Sequence, residues 1–180
     1  MSLVNIEKLR MIIKTQEEFD AKVVEDSFIH FGDVVFNCDI HIKGCIKVFG
    51  SITSKDNIYA TNIQADNITA CLVEVYKLKC NGVLQIKDIK ITSDLYNIGV
   101  FHAYKITCQD IHAKSIYANY LHASNVYCTD TLEVKHLQFY KTCIAENNLV
   151  FDTIDILHPD GVYLCVSKNK TNVCEKFHLK

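Results

Sequence analysis

A five-residue ladder constrains this chain more than any other feature of its sequence. Between Asn57 and Cys80 a large aliphatic residue recurs every five positions, at Ile58, Ile63, Ile68, Val73 and Leu78. Two places after each stands a smaller one: Ala60, Ala65, Ala70, Val75 and Cys80. The pattern returns at Phe101, Ile106, Ile111, Ile116, Leu121 and Val126, followed two places on by Ala103, Cys108, Ala113, Ala118, Ala123 and Cys128. A helix does not fit, because a five-residue step drifts around a 3.6-residue surface and leaves no apolar face. In an extended segment, residues i and i+2 point to the same side. Each step therefore reads as a short strand with two inward apolar groups and one outward side chain, followed by a two-residue corner.

A looser form of the ladder runs on either side. Upstream the step is six, at Val34, Ile40, Ile46 and Ile52, with Gly44 and Gly50 at equivalent turns. The segment Ser93 to Gly99 breaks the rhythm and predicts a bulge or loop. Downstream, Leu132 with Val134, Leu137 with Phe139, Leu149 with Phe151 and Ile154 with Ile156 continue it. Chains that repeat an inward step and a corner coil into a solenoid, in which stacking of successive turns buries what no single unit can bury. The fold class expected is all-β: a single-stranded parallel β-helix with short strands. Three steps per turn make a triangular section of 15 to 18 residues and four make a square one of about 20, and every step looks alike. The corner pairs Thr61-Asn62, Asp66-Asn67, Lys114-Ser115 and Ser124-Asn125 suit left-handed backbone or local hydrogen bonds. Such corners explain how a chain with six Gly and one Pro can turn so often.

The ends differ from the middle. Residues 1–30 are expected to form an N-terminal cap, 31–157 the solenoid and 158–180 a C-terminal cap. Thr15 and Glu18 fit a capping box at the start of a short helix. Ile6, Leu9 and Ile13 suggest a second helix before it. His158-Pro159-Asp160-Gly161 is a turn signal, and residues 161–177 read as a hairpin, giving a small helical cap at one end and a hairpin-like cap at the other.

The alternation from Gly32 to Gly50 and the steps DNIYATNIQA resemble the bactofilins, polymer-forming bacterial cytoskeletal proteins with a β-helical core. The resemblance covers about residues 32 to 92 and implies a structural, self-assembling protein. The polar-Asn-Ile steps also resemble the pentapeptide-repeat pattern, although there the small residue precedes the large one by two. Phage tail and baseplate modules and hexapeptide acyltransferases are β-solenoids as well.

The expected function is accordingly a non-catalytic scaffold or protein-interaction module, with self-association into a homo-oligomer or a protein partner. The alternatives are an acyltransferase or a phage structural module. A net charge of −2 leaves no electrostatic footprint for nucleic acid. No apolar stretch is long enough for a membrane span. Nine cysteines, without a C-x-x-C pair, are expected to be mostly small buried hydrophobes of a reduced, cytoplasmic protein. No cofactor, metal or catalytic residue is expected. His102, His112 and His122 recur every ten residues at outward positions, and with Tyr117 and Tyr127 they make a candidate interaction strip. The weaker chemical candidates are His41 for an acyltransferase, at an ordinary outward strand position, and Cys143 as a nucleophile, which breaks the ladder near His136 but also fits a buried Cys at a register shift.

Overall fold

The computed structural model describes residues 10–156 and, as backbone, the strands Leu164–Val166, Asn172–Cys174 and Phe177–Leu179. The chain is a β-solenoid of about eight turns. Its strands pair in parallel with their counterparts one coil away, and each coil has three faces. Successive coils are offset by 18 residues at Ile40↔Ile58, 15 at Ile58↔Val73 and 17 at Leu132↔Leu149. The section is therefore triangular, the option with 15 to 18 residues per turn.

Each face owns one column of large inward residues. The first face stacks Val34, Ile52, Ile68, Leu84, Phe101, Ile116, Leu132 and Leu149. The second runs from Ile40 through Ile58, Val73, Ile89, Ile106, Leu121 and Leu137 to Ile154. On the third, Phe28, Ile46, Ile63, Leu78 and Leu95 lead toward Ile111, Val126 and Cys143. All of these residues are buried. Each large side chain so buried contributes about 1.5–3 kcal/mol of transfer free energy, and the columns together are the core.

The corners work differently from the expectation. Glu25 and Asp26 are the non-glycine residues with positive φ among those described, so the corner pairs Thr61-Asn62, Asp66-Asn67, Lys114-Ser115 and Ser124-Asn125 do not depend on left-handed backbone. Their side chains bond to neighbouring coils instead. Asn67 Nδ2 donates to Ser51 Oγ at 3.2 Å, and Asn67 Oδ1 accepts from the Val83 amide at 2.8 Å. Asn125 Nδ2 donates to Asp110 Oδ1 at 2.6 Å, and Thr61 Oγ1 donates to the Lys43 carbonyl. Corner polarity thus zips coil to coil. Backbone pairing also continues through many corners, so that the extended run Asp110–Cys128 passes around all three faces.

The irregular segment is a bulge: within Asp94–Thr107 the register shifts between Asn97 and Val100. Asn97 fills an inward slot between Cys80 and Ala113, and its Oδ1 accepts from the Gly99 amide at 3.0 Å.

At the N-terminal end, Gln16–Asp20 is a short helix with Thr15 as its N-cap, whose Oγ1 accepts from the Glu18 amide at 3.2 Å. Glu18 reaches back to the Lys14 amide at 2.7 Å, one residue before the cap. Phe19 is fully buried and stacks on Phe28 at 4.9 Å and on Phe36 edge-on at 5.8 Å. The Gln16 side chain pairs with the edge of the strand Ile40–His41, donating to His41 O and accepting from His41 N, both at 2.9 Å. One side-chain amide thereby takes the place of a strand and blunts that edge. Replacing Thr15 by alanine is expected to lower stability by about 1 kcal/mol, read from the midpoint of urea unfolding.

Two expectations for the ends need correction. Ile13 belongs to the strand Met11–Ile13, parallel to Val34–Phe36, and not to a helix; Ile6 and Leu9 lie outside the described residues. Coiling therefore begins before residue 31, because Ser27–Phe31 already pairs with Cys45–Phe49. At the other end, Leu164–Val166, Asn172–Cys174 and Phe177–Leu179 pair in parallel with the preceding coil, where a hairpin would pair its arms antiparallel. The chain between the first two of these strands lies outside the described residues.

Candidate interaction surface

Because each five-residue step moves the chain to the next face, residues ten apart never share a face, whereas residues about fifteen apart do. This separates the candidate strip. His102 and Tyr117 lie on the first face with stacked rings 5.0 Å apart. His112 and Tyr127 lie on the third, stacked at 4.6 Å. His122 stands on the second, where its ring meets Tyr140 at 5.3 Å and its Nδ1 lies 3.0 Å from Gln138 Oε1. The five residues form two stacked pairs and a separate histidine.

Columns not anticipated extend these contacts. Tyr96 stacks on His112 at 5.0 Å, and the Lys77 ammonium sits 5.4 Å from the Tyr96 ring centre. That makes a three-ring column, Tyr96, His112 and Tyr127, on the third face. Near the corner of the first and second faces, Tyr104 meets Tyr120 edge-on at 5.5 Å, and Tyr120 stacks on His136 at 4.7 Å. The signal for this second column was in the sequence: Tyr104, Tyr120 and His136 are spaced by 16. They stand outside the central outward positions of the ladder, which hid them.

The faces carry open troughs, bounded by outward columns and floored by the strands between them. That on the first face, about 590 Å³, is lined by His102, Tyr104, Tyr117, Asn119, Glu133 and Lys135 among others. The third-face trough, about 670 Å³, includes Tyr96, His112 and Tyr127. At its rim, Asn147 Nδ2 donates to Asp130 Oδ1 at 3.0 Å and Ser115 Oγ to Asp130 Oδ2 at 3.3 Å. The Asn147 bond, with help from Ser115, holds the Asp130 carboxyl below its usual range. Among the described residues no three His, Cys, Asp or Glu side chains converge as metal ligands.

The weaker candidates are placed by the same register. His41 stacks on Tyr59 at 4.5 Å beside the helical cap. Cys143 is fully buried in the third-face column, where no solvent-borne substrate reaches it. Cys80 and Cys128 occupy small inward slots, and they do more than fill them. The Cys128 sulfur lies 3.0 Å from the carbonyls of both Lys114 and Thr131, which compete for its one hydrogen, and the Cys80 thiol donates to Asp66 O at 3.3 Å. Burial pushes the thiols of Cys80 and Cys128 up to about 11 and that of Cys108 to about 12. Cys71, by contrast, is exposed. Iodoacetamide at mildly alkaline pH is expected to label Cys71 in the folded protein and to leave Cys80, Cys108 and Cys128 unmodified until denaturant is added, as peptide mass mapping would show.

No protein-family model, curated protein or solved structure matches the chain. The β-solenoid rests on its own register, and the likeness to bactofilins or pentapeptide repeats stays at the level of pattern.

Proposed function

We propose that the chain is a non-catalytic structural rod that associates with copies of itself through its ring-bearing faces. The observation that carries this reading is the column Tyr96, His112 and Tyr127, whose rings stack across successive coils at 5.0 and 4.6 Å. A column held in register is pre-ordered, so that a partner docking on it meets side chains with little rotamer freedom left to lose. Tyrosine suits such a surface, being enriched at protein interfaces. The solenoid supplies the stiffness, since each coil is bonded to the next on all three faces. The bactofilin-like steps of the sequence support the same reading.

Exposed apolar side chains at the first coils add to the argument. Phe31 and Phe49 stack at 4.7 Å while remaining exposed, and Ile29 is exposed on the same coil as Phe31. Sedimentation velocity over a wide concentration range tests the proposal. The wild-type chain is expected to sediment as a multimer, and the triple substitution Tyr96→Ser, His112→Ser and Tyr127→Ser to shift it toward monomer with unchanged circular dichroism. A wild-type chain that stays monomeric at every concentration would sink the reading.

A further inference from the structure

We propose that the trough on the second face is a binding site for a neutral oligosaccharide. This goes beyond the rod reading and does not depend on it. Two outward columns form the rails of the trough. One runs through Lys105, Tyr120, His136 and Thr153, the other through Thr107, His122, Gln138 and Asp155. Between them pass Ile106, Leu121 and Leu137 with their side chains turned into the core, which leaves an open channel of about 540 Å³.

The hydrogen bonds along the rails determine what the channel offers a ligand. Gln138 Nε2 donates to Asp155 Oδ2 at 2.9 Å. A carboxylate only accepts, so the amide cannot be turned around, and Gln138 Oε1 must face His122 Nδ1 at 3.0 Å. Nδ1 therefore carries a hydrogen, and in the neutral form of the ring Nε2 keeps a lone pair with which to accept. His136 Nδ1 lies 2.7 Å from Thr153 Oγ1, a hydroxyl that can donate or accept and that also lies 3.4 Å from the Lys135 carbonyl. His136 lies two residues before Gln138, the strand partner of His122, so the two imidazoles are diagonal neighbours on one face.

The His122 Nε2 acceptor, the His136 imidazole and the second Asp155 carboxylate oxygen, which has no partner among the described residues, thus line the channel, with the Lys105 ammonium and the Tyr120 hydroxyl as donors. The one ammonium and the one carboxylate of the lining cancel, so a polyanion or a polycation gains nothing there. Hydroxyl groups, which donate and accept at once, match both sets. Repetition of the rails from coil to coil, about 4.8 Å apart, suits a ligand that repeats its hydroxyls along a chain. A neutral oligosaccharide has that chemistry.

The test is long-range proton–nitrogen NMR of the full chain with labelled histidines. His122 is expected to show the Nδ1–H tautomer. Titration with cellohexaose, maltohexaose and chitohexaose at millimolar concentration is expected to move the Nε2 signals of His122 and His136 with at least one of the three. His102 and His112, on the other faces, stay still. Gln138→Met, which removes both hydrogen bonds of the relay, is expected to weaken that binding about tenfold. Asp155→Asn serves where Gln138→Met loses its fold. The proposal is overturned by an Nε2–H tautomer at His122, by no response to any of the three sugars, or by a response to a heparin hexasaccharide or zinc alone.

Discussion

Replacing Phe101 with alanine is expected to lower the stability of the solenoid by about 3–5 kcal/mol, among the largest effects open to a single side chain here. Phe101 is fully buried at mid-column, between Leu84 on one coil and Ile116 on the next. In a stacked repeat the interfaces with both neighbouring coils carry much of the stability, and this truncation weakens two of them at once. The cavity it leaves is fenced by backbone bonded on both sides, which cannot collapse into it. Urea unfolding followed by far-ultraviolet circular dichroism measures the loss. Tyr104→Ala, at an exposed corner position, is the control and should stay within about 0.5 kcal/mol of wild type. A loss below about 1 kcal/mol at Phe101 would mean that the column is not packed as described. A weakened middle is also expected to let the two ends unfold in separate steps, visible as a broadened transition.

Gly44→Val should be comparably damaging, for a different reason. A Cβ at Gly44 would fall inside the contact radius of the Asp26 carbonyl oxygen, which already accepts from the Cys45 amide at 2.9 Å. The obstacle is backbone, so no rotamer change relieves it. Asp26 itself sits at φ 56°, and the turn that holds it leaves little room to retreat. The expected loss is about 3 kcal/mol, read as a fall in the thermal midpoint together with faster proteolysis of the first coils. Gly44→Ala meets the same carbonyl. An alanine variant with the wild-type midpoint would show that these coils are spaced more widely than described.

Much of the fold was legible because the ladder is an inward pattern. Ile58, Ile63, Ile68, Val73 and Leu78 all point into the core, and so do Phe101 through Val126 at the same spacing. Apolar periodicity reports burial directly, and the break at Ser93 to Gly99 reported the bulge for the same reason. The helical cap was readable through Thr15 and Glu18, whose pattern is local in sequence. The pairing of Gln16 with His41 was not, because it joins residues 25 apart through a side-chain amide imitating a strand. The corners misled in a related way. Asn67 and Asn125 are turn formers in isolation, but here they bond across coils, a partnership that exists only once the coils stack. The parallel C-terminal strands were mistaken for a hairpin because a turn signal between two apolar runs does not say which neighbour each run will join.

The candidate surface was the least legible part. Ten-residue recurrence of His102, His112 and His122 suggested a strip, and three-sided coiling sends them to three faces. Besides the stacked pairs His102–Tyr117 and His112–Tyr127, 15 residues apart, Tyr120 meets His136 and His122 meets Gln138, each 16 apart and unremarkable as sequence neighbours.

The ladder by itself determined that this chain coils, which residues face inward, and that Asn, Asp, Ser and Thr could replace Gly and Pro at the corners. Only the tertiary structure decided how many steps close a turn. Inward residues are equivalent whatever that number is, since an apolar core accepts Ile beside Ile in either section. Outward residues are not equivalent, because the number of steps per coil sets which side chains become neighbours, and with them every surface that could bind a partner.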